Sequence, residues 1–263
     1  MAYFMHHDAM DKEPRAGVGA GFKASSLVGL GWRHAYLSGV DVEETSIPVR
    51  IVMEDCDGSY LASGGISSHP SAFSAYSFPY PIARVEAAGQ SVSLGDWCLA
   101  RPRGGSLELI APLARANAVL GVANVDRVLI VLSAQDPNRP GLLERGLRLS
   151  WEAGARPIVV LSKCDLVEAW ELKADELRAR AFGVQVIPAC LKGCGRLDAL
   201  KDALKPASTS LVLGPRAAGK SSLIEALGAP RAAKHVGRGL RAIPGGAFLV
   251  EGGRLDEAGD RAA

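Results

Sequence analysis

No apolar run in this sequence exceeds the length of a strand, so none is long enough to cross a membrane as a helix and no membrane role is expected. Its five cysteines, Cys56, Cys98, Cys164, Cys190 and Cys194, form no paired framework. A disulfide scaffold is therefore not expected, and a reducing, cytoplasmic setting is. The first dozen residues lack a continuous apolar core and carry Asp8 and Asp11, with Glu13 just beyond, which argues against a secretory leader and weakens a transit-peptide reading. Internal repeats and low-complexity segments are also missing. Net charge is scarce at +2 but unevenly spread, because residues 1–110 hold eight Lys/Arg against twelve Asp/Glu. The positive excess sits further on, where Lys201, Lys205, Arg216, Lys220, Arg231, Lys234, Arg238 and Arg241 face only Asp202 and Glu225. That stretch suits an anionic partner such as RNA, or else a solvated basic face that binds nothing in particular.

What is present is most specific between Thr209 and Leu227. A short apolar strand runs into Gly214-Pro215-Arg216-Ala217-Ala218-Gly219-Lys220-Ser221, and the octet runs into an amphipathic helix that includes Ser222. The pattern G-x-x-x-x-G-K-[ST] is that of a phosphate-binding loop, in which the glycines let backbone N–H groups turn inward around a phosphate. Lys220 supplies a point charge to the β- and γ-oxygens, and Ser221 supplies a hydroxyl for Mg²⁺. The loop says nothing about the base.

Composition divides the chain into three parts. Residues 1–27 are polar, small and without periodicity, and are expected to form a flexible tail. Residues 28–116 carry short β-type runs (46–53, 60–63, 82–86 and 97–101) separated by Asp-Gly, Gly-Gly and Pro signals, which suggests a small barrel. Within it, residues 67–81 read as a long loop whose Phe73, Tyr76, Phe78 and Tyr80 either stack on RNA bases or lie buried under the barrel. Residues 117–263 alternate strands (128–132, 156–161, 184–188, 209–213) with helices (141–153, 170–181, 196–204), the pattern of a parallel sheet covered by helices.

The second of these strands ends in Ser162-Lys163-Cys164-Asp165, which looks like the guanine-reading [NT]-K-x-D motif with serine in first place. An aspartate at this spacing accepts two hydrogen bonds from guanine N1–H and the exocyclic amine, a pair that adenine does not offer. The lysine stem lies over the purine plane. Ser162 reads as short for the bridging role that asparagine would play toward the phosphate loop, so a weakened affinity is expected. The third strand ends in Ala189-Cys190-Leu191-Lys192-Gly193, a partial match to the S-A-x-x-G turn that touches the guanine carbonyl. Cys190 and Cys194 lack two further ligands nearby and read as packing residues.

The base-reading motif precedes the phosphate loop, the reverse of the usual order, so the domain looks circularly permuted. That order behind a small barrel resembles the bacterial RsgA/YjeQ family of ribosome small-subunit biogenesis GTPases. The likeness runs from Leu30-Gly31-Trp32 through Gly95-Asp96-Trp97 and residues 123–131 to residues 243–250. The resemblance implies an α/β fold with an N-terminal OB-fold-like β-barrel before a circularly permuted P-loop GTPase domain. It also implies GTP or GDP with Mg²⁺ at the loop, contact with the small ribosomal subunit and its rRNA, and subunit-stimulated hydrolysis; a monomer is expected.

Departures from the family cluster on hydrolysis. Family members carry a threonine-rich switch segment and a D-T-P-G motif; here no threonine follows Thr209, and Glu251-Gly252-Gly253-Arg254 stands in place of the second motif. Glu251 keeps a carboxylate, one methylene longer. The sequence stops at Ala263, before the family's Cys/His zinc domain, and no zinc is expected. Two rivals to a slow GTPase remain: a non-catalytic rRNA-binding scaffold with a degenerate nucleotide domain, and an ATP-using P-loop enzyme, which Ser162 to Asp165 disfavour.

Overall fold

Residue alternation along Ile47–Glu54 (β1) shows how the chain is put together: Val49 and Ile51 point into a barrel, while Arg50 and Val52 point out of it toward the second half of the chain. The computed structural model describes residues 24–38, 45–55, 57–64, 78–87, 89–137, 141–190, 197–230 and 237–255. A helix, Ala24–Gly29 (α1), opens the described chain inside the stretch read as a tail. The barrel consists of β1, Tyr60–Gly64 (β2), Ile82–Glu86 (β3), Trp97–Arg103 (β4) and Ser106–Pro112 (β5), closed in the order β1-β2-β3-β5-β4 with β3 and β5 parallel. This is the OB-like barrel. Its interior is filled by Ala62, Ala83, Val85, Cys98, Ala100, Leu107 and Leu109 together with Val49 and Ile51. Burial pushes the Cys98 thiol up to about 12, so it stays protonated and inert.

A two-strand hairpin, Ala118–Val119 (β6) with Val122–Ala123 (β7), leads to the second half. There Arg127–Ser133 (β8), Leu142–Glu152 (α2), Arg156–Ser162 (β9), Trp170–Arg180 (α3), Gln185–Ala189 (β10), Asp198–Ala203 (α4), Thr209–Gly214 (β11), Lys220–Ala226 (α5), Arg241–Ala242 (β12) and Phe248–Arg254 (β13) follow in sequence. The sheet order is β10-β9-β8-β11-β13-β12, parallel except for β12. The central strands are buried on both faces, which is why they read as continuous Val/Ile/Leu runs rather than as alternation. Helices α2 and α3 cover one face through Leu143, Leu147, Ala174 and Leu177, while α4 and α5 cover the other through Leu200, Leu223 and Ile224. Among the described residues no helix is long and apolar enough to cross a membrane.

The outer face of the barrel and the first face of the sheet share one apolar core, to which Leu61, Trp97, Phe78, Phe248 and Val250 all belong. Phe78 stacks on Phe248 at 5.9 Å between ring centroids, so it takes the buried fate; Phe73 and Tyr76 lie outside the described residues. Across this junction runs the fully buried Arg50. It donates to the Leu30 carbonyl (2.7 Å), the Gly95 carbonyl (3.2 Å) and the Thr209 hydroxyl (2.7 Å), with its guanidinium 5.8 Å from the centre of the Trp97 ring. Burial lowers its pKa to about 10, which still leaves it a cation at neutral pH.

The segments that carried the family likeness do the joining. Asp96 is buried and receives both Nε and Nη2 of Arg115 at 2.6 Å, a bidentate pair. Asn124 donates to the Gly95 carbonyl at 3.0 Å, and Asp126 accepts from the Thr209 amide at 2.8 Å, at the entry to β11.

Candidate functional site

The chain order of motifs becomes a spatial cluster because β9, β8, β11 and β13 lie side by side and parallel, which brings their carboxyl ends to one edge of the sheet. Ligand sites in open α/β sheets form at that edge. The turn from β11 into α5 sits there. A Cβ at Gly214 would collide with the Val131 carbonyl oxygen of β8, so only glycine lets β11 leave the sheet this close to its neighbour. Gly219 adopts φ 91°, a left-handed conformation that starts the helix at Lys220. Pro215 and Ala218 are buried, whereas Arg216, Ala217, Ser221 and Ser222 are exposed. Lys220 Nζ donates to the carbonyls of Gly214 (2.8 Å) and Pro215 (3.0 Å), which folds its charge across the mouth of the loop.

Ser162, at the end of β9, is fully buried, and its hydroxyl donates to the Ala218 carbonyl at 2.6 Å, with the Leu132 carbonyl at 3.2 Å as a second acceptor. Short as serine is for the role of asparagine, it does bridge to the phosphate loop. The loop approaches β9 closely enough for one hydroxyl to span the gap. Lys163 has φ 59°, so the chain turns sharply after β9, and its Nζ lies 3.4 Å from Gln135 Oε1. Asp165 follows in a short 3-10 turn, Cys164–Leu166, with its carboxylate exposed and no partner among the described residues. Ala189 and Cys190 are buried at the end of β10; Lys192, Gly193 and Cys194 lie outside the described residues.

On the other side of the loop, Glu251 of β13 accepts from the Ser221 hydroxyl at 2.6 Å. The parallel register that pairs Val212 with Glu251 places this carboxylate beside the first turn of α5, and the extra methylene of glutamate does not prevent the contact. Its other oxygen lies 3.6 Å from Arg241 Nη2. A hydroxyl and a carboxylate in contact form an oxygen donor set suited to a hard cation such as Mg²⁺. Reading the sequence yielded Ser221 but not the engagement of Glu251 or Arg241; the β11/β13 register that creates both contacts is a property of the fold. Two cations counted in the basic stretch turn inward. Arg241 is bound to Glu251, and Arg238 is partly buried with Nη1 on the Leu120 carbonyl at 3.1 Å, so neither extends a free basic face. Burial lowers the pKa of Arg238. Arg231 and Lys234 lie outside the described residues.

The model of a family described as RsgA GTPase matches residues 107–238, half of the chain. The chain belongs to the RsgA GTPase family. Among its relatives, a small ribosomal subunit biogenesis GTPase RsgA of Streptomyces coelicolor is 29% identical over 86% of this chain and 68% of its own length. A protein of the same name from Listeria monocytogenes is 41% identical over 40% of this chain but only 30% of its own length, so this chain spans less than a third of that relative. The fold matches the crystal structure of YjeQ from Thermotoga maritima with a TM-score of 0.64 at 21% identity, covering 79% of this chain and 75% of that one. It also matches YloQ, described as a circularly permuted GTPase, with a TM-score of 0.56 at 20% identity over 78% and 70% of the two chains. In this RsgA-family chain the permutation is visible as β9 and β10, with the segments that follow them, preceding β11 and its loop.

Proposed function

We propose that this RsgA-family chain binds GDP and GTP with Mg²⁺ in the cytoplasm and acts on the small ribosomal subunit, hydrolysing GTP slowly. The observation that carries the nucleotide reading is the 2.6 Å hydrogen bond from Ser162 to the Ala218 carbonyl, which fixes the base-reading turn and the phosphate loop to each other. Loop N–H groups and Lys220 bind the phosphates, and the exposed Asp165 carboxylate accepts two hydrogen bonds from guanine. Ser221 and Glu251 would hold Mg²⁺, whose chemistry is to offset charge on the phosphate oxygens. The small-subunit reading draws on the names of the relatives and on the OB-like barrel, a fold that suits RNA.

Slow hydrolysis follows from missing parts. No threonine follows Thr209 to sense the γ-phosphate, and each fixed donor removed from such a site costs roughly 10²–10³ in rate. A second reading, a non-catalytic rRNA-binding scaffold, draws on β13 continuing as a strand through Arg254, where the family's second switch motif would stand. A single-turnover GTP assay with and without small subunits separates them. Slow turnover, modestly raised by subunits and abolished by Lys220→Ala, is expected; fast, strongly stimulated turnover would overturn the slow-enzyme reading, and none at all would favour the scaffold.

A further inference from the structure

A cleft of about 670 Å³ opens at the opposite edge of the sheet, where β8 and β9 begin, between those strand ends and the segment 28–36 that precedes the barrel. It falls within the range of about 300–1,000 Å³ typical of small-molecule sites. Arg127 and Arg156 line it and are direct partners in the register of β8 and β9, which places two guanidinium side chains on one face of neighbouring strands. Like charges so placed repel. Arg127 is 7% exposed and has no hydrogen-bond partner among the described residues. Arg33 and Lys205 add two more cations at the rim. The one carboxylate lining the cleft is Asp126, and both of its oxygens are engaged, by Arg33 at 2.6 Å and by the Thr209 amide at 2.8 Å. Burial and the neighbouring Arg156 both lower the pKa of Arg127, with Asp126 opposing them.

Arg127 faces the cleft rather than a protein acceptor, beside a second arginine, and planar guanidinium groups match phosphate oxygens well. Trp32 forms another wall of the cleft. Tyr36 and Trp97 pack around it at 5.7 and 4.8 Å between ring centroids, and the aromatic wall they form with Trp32 suits a planar ring.

We infer that this cleft is a second site, separate from the phosphate loop, for a nucleotide unit whose phosphate is held by Arg127, Arg156 and Lys205 and whose base lies on Trp32. Such a unit comes either as a free nucleotide or within a single RNA strand. The inference rests on neither the guanine assignment nor the hydrolysis reading.

The test saturates the phosphate loop with GDP and Mg²⁺ and titrates in fluorescent hexauridylate, then unlabelled 5′-UMP as competitor. Hexauridylate is expected to bind, and Arg156→Ala and Arg127→Gln are each expected to weaken it at least tenfold with GDP affinity unchanged. Displacement by 5′-UMP identifies a free nucleotide as sufficient; no displacement identifies the strand. In the absence of ligand, Arg127→Gln should leave the melting temperature unchanged or raise it, because it removes a like-charge contact. If Arg127→Gln instead melts early, the exposed Arg156 decides: weakened binding in Arg156→Ala sustains the site. Absence of hexauridylate binding, or binding indifferent to Arg156→Ala, overturns it.

Discussion

At the scale of single residues, two short hydroxyl contacts frame the proposed nucleotide site. Ser162→Ala removes the side-chain donor that the described residues offer the Ala218 carbonyl, leaving a buried acceptor unpaired at a cost of about 1–3 kcal/mol. GDP affinity measured by calorimetry is expected to fall about tenfold, since about 1.4 kcal/mol is one decade; an unchanged affinity would mean that the bridge does not shape the loop. The second contact joins Ser221 to Glu251, whose other oxygen lies near Arg241. In the proposed Mg²⁺ site, Arg241 would compete with the ion for the same carboxylate. Arg241→Ala should therefore lower the Mg²⁺ concentration needed for half-maximal GDP binding several-fold, and an unchanged or higher requirement would show that Arg241 does not hold Glu251 back.

At the scale of elements, the junction between barrel and sheet depends on β1. Arg50 serves three acceptors from three separate segments, and the backbone of β1 also binds the segment before β12, through Leu240 N to the Val52 carbonyl and Glu54 N to the Arg238 carbonyl, each 2.8 Å. Arg50→Met keeps much of the apolar stem but strands the acceptors. Denaturant unfolding should show a loss of about 3 kcal/mol or more, and a loss under about 1 kcal/mol would mean that the apolar contacts alone hold the junction. The elements themselves were largely legible in the sequence. Buried parallel strands and the phosphate loop are local strings, and the strands expected at 82–86, 156–161 and 209–213 appear at Ile82–Glu86, Arg156–Ser162 and Thr209–Gly214. What was not legible depends on register or on distant partners. Arg50 reads as one more charged residue until Thr209 is seen beside it, and the reach of Ser162 is set by how closely the loop packs on β9.

At the scale of the whole molecule, the barrel and the permuted domain share a core, and the proposed nucleotide site lies at the carboxyl edge of the sheet, where Ser162 ties the end of β9 to the loop after β11. The central claim is that this site selects guanine nucleotides. The measurement that bears on it most directly is a competition titration of the purified protein with GDP, GTP, ATP and XDP in Mg²⁺, repeated for Asp165→Asn. Guanine nucleotides should bind well ahead of ATP, and Asp165→Asn should shift preference toward XDP, because an amide can donate to the 2-oxo group where a carboxylate cannot. Equal binding of ATP and GTP by the unmutated protein, or an Asp165→Asn variant with unaltered preference, would contradict the account.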